Sequence, residues 1–101
     1  MVISRIEMEV PNAQSVKVTT RTLNVELTDG RSIAVPLSWY PRLLDATPVE
    51  RNRHRLIGGG EGIRWEAVDE DISVESLLAG KRSTESQASL KKWLATRKVG
   101  R

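Results

Sequence analysis

The chain has 101 residues, with sixteen Lys plus Arg, thirteen Asp plus Glu and no Cys. The lack of cysteine excludes a disulfide framework, thiolate metal sites and thiol nucleophiles, and no apolar run approaches the roughly 20 residues of a bilayer-spanning helix. The net charge of +3 conceals a division: residues 1–80 carry nine basic and twelve acidic side chains, a sum of −3, whereas residues 81–101 carry seven basic side chains and one acid, a sum of +6.

The amino terminus, Met1-Val2-Ile3-Ser4-Arg5, lacks the features of a signal peptide, so a cytoplasmic location without membrane association is expected. Residues 14–20 and 22–28 alternate at period two and are rich in β-branched side chains, which predicts two strands. In the second, Leu23, Val25 and Leu27 share one face. Asp29-Gly30 predicts a type I′ hairpin turn into a third strand, Arg31 to Leu37, with Ile33, Val35 and Leu37 inward. Pro36 has no amide to donate, so that strand ends at an edge.

Residues 39–46 read as a short helix with Pro41 in its first turn. Thr47-Pro48-Val49-Glu50 predicts a second helix opened by a capping box and running through Arg55. Two short strands, Leu56-Ile57 and Ile63-Arg64-Trp65, flank a loop of Gly58-Gly59-Gly60-Glu61-Gly62. Asp69-Glu70-Asp71-Ile72-Ser73 leads into a helix from Val74 to Ala79, with Ser73 as its cap and Gly80 at its left-handed end. Thr84-Glu85-Ser86-Gln87 is read as another capping box, opening a helix through about Arg97. Leu90, Trp93 and Leu94 form a narrow apolar stripe on it, flanked by Lys91, Lys92, Arg97 and Lys98. The expected architecture is α+β: residues 1–80 form a domain built on an antiparallel β-hairpin with short helices, and residues 81–101 form a basic helical extension.

The glycine run lacks the Gly-Lys-Ser/Thr of a phosphate cradle, and Ile63 stands where a dinucleotide fingerprint needs its third Gly. Asp69, Asp71 and Ser73 begin like a calcium loop, but Val74 replaces the turn glycine and Gly80 the twelfth-position Glu. The acids there are read instead as complements to a helix dipole. His54, the single histidine, sits among Arg51, Arg53 and Arg55 on the predicted helix, with no nucleophile motif to serve. No metal, cofactor or enzymatic activity is expected. Trp65 is assigned to the core; Trp39 and Tyr40 are adjacent, so one of them is left at the surface.

Tyr40-Pro41-Arg42-Leu43, Gly62-Ile63-x-Trp65, the run from Asp69 to Gly80, and Glu85-Ser86-Gln87-Ala88-Ser89-Leu90-x-x-Trp93-Leu94 carry a resemblance. The chain resembles bacterial domain-of-unknown-function family 2442, related to the N-terminal domain of a two-domain protein from a nitrifying bacterium. Arg64 departs from the His that the resemblance leads one to expect. The resemblance implies a small α+β fold, no established catalytic residues, and partner binding or regulation of the antitoxin kind.

These readings converge on a non-enzymatic protein-interaction module, with the antitoxin of a bacterial toxin–antitoxin pair as its specific form and a small toxin encoded nearby as the partner. Leu90, Trp93 and Leu94 are its expected anchors, Lys91, Lys92 and Arg97 its steering charges, and Tyr40 and Arg42 further contacts. The stripe has three possible covers: its own domain, a second copy in a homodimer, or that partner. The alternative is a nucleic-acid-associated transcriptional regulator using Arg51, Arg53, Arg55 and Lys98.

Overall fold

The computed structural model describes residues 10–99, with side chains through Arg97. Two antiparallel three-stranded sheets carry the fold. The first holds β1 (Ala13–Val18), β2 (Thr22–Leu27) and β3 (Ser32–Pro36), and the second β4 (His54–Ile57), β5 (Gly62–Trp65) and β6 (Glu70–Ser73). Between the sheets run α1 (Pro41–Asp45) and α2 (Pro48–Asn52), while α3 (Val74–Leu78) and α4 (Gln87–Val99) follow β6. The α+β architecture is the one the alternating segments and capped helices predict. Among the described residues no helix is long and apolar enough to cross a membrane.

The middle strand of each sheet supplies the core. Leu23, Val25 and Leu27 of β2 meet Ile63 and Trp65 of β5, together with Leu37, Leu43, Val68 and Val74, all at most 2% exposed. Burying such side chains contributes about 1.5–3 kcal/mol each, the main force holding the sheets together. No polar or charged side chain is fully buried among the described residues. The sheets also touch through backbone: Gly60, at φ 105°, lies so close to the start of β1 that an added Cβ would sit 2.7 Å from the Ala13 carbonyl oxygen.

Four local expectations are corrected. The β2–β3 connection is a three-residue loop, because Leu27 N–H donates to the Arg31 carbonyl (2.8 Å) and Gly30 N–H to the Leu27 carbonyl (3.1 Å). Gly30 takes positive φ and Asp29 does not, which gives a type I turn closed by a glycine bulge in place of type I′. The Asp29 carboxylate accepts the Arg31 backbone N–H at 3.0 Å and holds that geometry.

The second correction concerns α2, which stops at Asn52. Its Thr47–Glu50 capping box forms as predicted, but His54 and Arg55 belong to β4, in register with Trp65 and Arg64. The Trp65 indole N–H donates to the Arg51 carbonyl at 3.1 Å, satisfying a helix-end acceptor while the chain turns into the strand.

Third, residues 70–73 form β6, so the acids before α3 do not serve its dipole; only Glu75 stands in its first turn. Asp71 lies opposite Arg64, and the Arg64 guanidinium holds Glu66, Asp69 and Asp71 at 2.9–3.0 Å. Those hydrogen bonds raise the Arg64 pKa further. Repulsion among these carboxylates is reduced because Arg64 lies between them and Arg55 also pairs with Glu66.

Fourth, α4 begins at Gln87. Ser86 is its capping residue, with its hydroxyl accepting the Ser89 N–H at 3.1 Å. The Thr84–Gln87 box is not used, because Ser86 takes the capping position two residues later.

Candidate partner-binding site

Leu90, Trp93, Leu94 and Arg97 are the half-buried residues of α4, and Ala88, Lys91 and Lys92 are exposed. This is the facing that the apolar stripe predicts. Trp93 packs against the core cluster, and the Arg42 and Arg97 guanidiniums each lie 4.7 Å from its ring centroid. Cation–π contacts of this kind contribute about 0.5–2 kcal/mol.

Each guanidinium is held in turn by acids of the body or linker. Arg97 Nε donates to Asp45 at 2.7 Å, and its two terminal nitrogens to Glu50 at 2.7 and 3.1 Å. Arg42 Nε and Nη2 donate to Glu85 at 2.6–3.1 Å, and Nη1 to the Val68 carbonyl at 2.9 Å. Hydrogen bonding from Arg97 lowers the Glu50 pKa to about 2, and bonding from Arg42 lowers that of Glu85. Thus α4 is fastened to its own domain by two arginine–carboxylate clamps and one indole. Leu90 and Leu94 flank the indole, half-buried. Leu44 and Val49, the sequence neighbours of the two acids that grip Arg97, are 48% and 59% exposed.

The basic residues singled out for nucleic acid do not gather on one helix. Arg51 donates to the Leu43 and Leu44 carbonyls at 3.0 and 2.7 Å, capping α1. Arg53 is the exposed C-cap of α2, and Arg55 on β4 pairs with Glu66 at 2.7 Å. The side chain of Lys98 lies outside the described residues. His54 sits beside Trp65 with ring centroids 5.9 Å apart, within strand β4 and not on the helix surface expected of it.

Below α4, a groove of about 340 Å³ runs between β6 and the extended segment 81–85, with Tyr40 and Arg42 also lining it. Tyr40 is buried and donates its hydroxyl to the Lys81 carbonyl at 3.0 Å; burial and the nearby Glu70 charge raise its pKa. Trp39, its neighbour, is the surface partner of the pair and lies 4.9 Å from the Arg82 guanidinium carbon.

The burial of Glu70 is the site feature that the sequence analysis did not foresee. It pairs across the sheet with Trp65 and shares the inward face of Ile72. Burial lifts its pKa to about 7, despite the opposing pull of the Arg42 charge. Arg42 spends its donors on Glu85 and Val68, and no hydrogen bond reaches the Glu70 carboxyl among the described residues. The signal was present: Glu70-Asp71-Ile72-Ser73 read at period two places Glu70 on the side of Ile72.

The main chain along this groove is also open. Val74 N–H donates to the Glu61 carbonyl at 2.9 Å, which sets the phase of the β5–β6 ladder. Narrow and wide pairs alternate in an antiparallel ladder, so Ile72 and Glu70 bond to Ile63 and Trp65 in the observed register. The N–H and C=O of Asp71 and the N–H of Ser73 therefore point away from β5. No other described strand pairs with β6. A larger depression of about 490 Å³ near Val10, Ile57 and Glu75 contains none of the predicted contacts.

A family model described as a protein of unknown function (DUF2442) matches residues 13–83, from β1 into the linker before α4. The segment Glu85 to Leu94 lies beyond the matched residues. The crystal structure of a protein of unknown function from Rhodospirillum rubrum is similar, with 26% identity and a TM-score of 0.68, covering 78% of this chain and 98% of that one. The solution structure of an uncharacterized protein from Chromobacterium violaceum shares the fold at 23% identity and a TM-score of 0.62, covering 85% of this chain and 75% of that one. No curated protein matches the chain.

Proposed function

Because the chain belongs to the DUF2442 family of proteins of unknown function, we propose a role from its own geometry: a non-enzymatic protein-interaction module whose contact surface centres on α4. The observation that supports this reading is how α4 is attached. Charged clamps and one indole fix its position, while Leu90 and Leu94 stay half-buried, and Leu44 and Val49, next in sequence to the clamping acids, stand exposed. Apolar side chains beside an ordered aromatic anchor are the composition of an interface centre. Lys91 and Lys92, exposed on the opposite side, would steer an acidic partner into place.

The partner this reading names is a small protein encoded beside this one, in the manner of a toxin held by its antitoxin. The nucleic-acid alternative has less to stand on, since Arg51 and Arg55 are already engaged within the fold. Co-expression with the neighbouring gene product tests the proposal. Co-purification that is lost in a Leu90→Glu, Leu94→Glu double variant supports it. Unchanged binding by that variant overturns the role given to α4.

A further inference from the structure

The open edge of β6 and the carboxyl of Glu70 border the same groove, and each lacks what an extended basic peptide provides. A strand edge has unpaired donors and acceptors that another strand satisfies. A half-buried acid with no hydrogen-bond donor gains most from a cation brought alongside it. Both outer strands of the first sheet are less suited: β1 is interrupted by a bulge between Ala13 and Ser15, and β3 ends on Pro36.

Resting on the protein-interaction reading above, we infer that the groove receives one extended strand of a protein partner, bonded to the main chain at Asp71 and Ser73 and carrying Lys or Arg against Glu70. The phase of the ladder dictates the rest of the motif. The partner residue opposite Asp71 exchanges both backbone hydrogen bonds with it and points to the outer face, where Arg64 already pairs with Asp69 and Asp71. Its two neighbours point inward, one over Glu70 and the other over Ile72. The recognised segment is therefore a basic and an apolar residue two positions apart. The other charges bordering the groove, Asp69, Asp71 and Glu85 against Arg42, Lys81 and Arg82, are mixed in sign, so the preference for a basic residue rests on Glu70 itself.

The test uses the full chain labelled with ¹⁵N and the blocked peptide Thr-Val-Thr-Lys-Thr as probe. Binding should shift the amide resonances of Asp71 and Ser73 and protect them from hydrogen exchange. Replacing the peptide Lys by Glu should weaken binding about fivefold, the effect of one cross-strand charge pair, and Glu70→Gln should erase that preference. Methylating the central peptide amide should abolish binding. Unmoved Asp71 and Ser73 amides at millimolar peptide, or equal binding by the methylated peptide, overturns the inference. If the neighbouring gene product binds through Leu90 and Leu94 while those amides keep exchanging freely, the groove assignment falls and the interaction module stands. If the peptide binds as described and the gene product does not, the groove stands and the α4 reading falls.

Discussion

Arg97 and Glu50 meet in a two-pronged contact, at 2.7 and 3.1 Å, and the same Glu50 closes the α2 capping box by accepting the Thr47 N–H at 2.9 Å. One carboxylate thus serves the start of a short helix and the attachment of the carboxy-terminal one. Neither element is independent of the other, although 47 residues separate the two side chains.

Removing this contact should release α4 without unfolding the sheets. Arg97→Ala is expected to cost about 1–2 kcal/mol, the loss of charge-assisted hydrogen bonds at a partly exposed site. Arg97→Lys should recover little of it, because an ammonium cannot reproduce the fork that grips Asp45 and Glu50. Urea unfolding gives the energy, and acrylamide quenching, with Trp93→Phe as reference, reports release of the indole.

Glu50 and Glu70 predict opposite pH effects. The folded pKa of Glu50 lies below the ordinary value of 4.5, at about 2. Its contribution is therefore fully present above pH 4.5 and is lost as pH falls toward 2. After solvent screening it amounts to about 1 kcal/mol. Glu50→Gln should be destabilising at pH 6 and nearly neutral at pH 2, in denaturant midpoints measured at both.

Glu70 has a folded pKa near 7, above the ordinary 4.5. Its ionised form is disfavoured by folding, so it costs stability increasingly as pH rises from 4.5 to 7 and by a constant amount beyond. Glu70→Gln should stabilise the protein by about 1 kcal/mol at pH 8, discounted for partial exposure, and leave it unchanged at pH 4. The groups facing this site are Tyr40, Arg42, Asp69, Asp71 and Glu85. A variant equally stable at both pH values would contradict the assignment.

The glycine loop provides a contrast within three residues. Gly60→Ala would force a Cβ to 2.7 Å from the Ala13 carbonyl at φ 105°, whereas Gly59→Ala, at φ 69°, meets nothing within 4 Å. The second should cost about 1–2 kcal/mol, the strain of a left-handed alanine. The first should cost clearly more, since the sheets must separate locally. Thermal melts of the two variants make the comparison.

Local chemistry explains what was legible in the sequence. The Thr47–Glu50 box, the alternation from Leu23 to Leu27 and the α4 stripe are written within a few neighbouring residues, and the structure has them all. The failures have a common physical origin. His54 and Arg55 looked helical until the pairing with β5 claimed them, and Asp69 and Asp71 looked like helix-start charges until Arg64 collected them. Thr84 looked like the cap of α4, whereas Ser86 caps the helix and Glu85 is drawn to Arg42, 43 residues away. Pattern at short range identifies elements; which charge meets which is decided only when those elements pack.

The segment 81–85 is sewn down at several points, among them Tyr40 Oη to the Lys81 carbonyl and the Ser83 N–H to the Trp39 carbonyl, 3.0 Å each. Between those stitches lies Lys81-Arg82, a dibasic bond that trypsin cuts readily in a slack chain. A protease must draw several residues into its own extended cleft, which these stitches resist until they open. The rate at which trypsin severs α4 from the body is therefore a clock for the opening of the linker, and a ligand that tightens the groove would slow it.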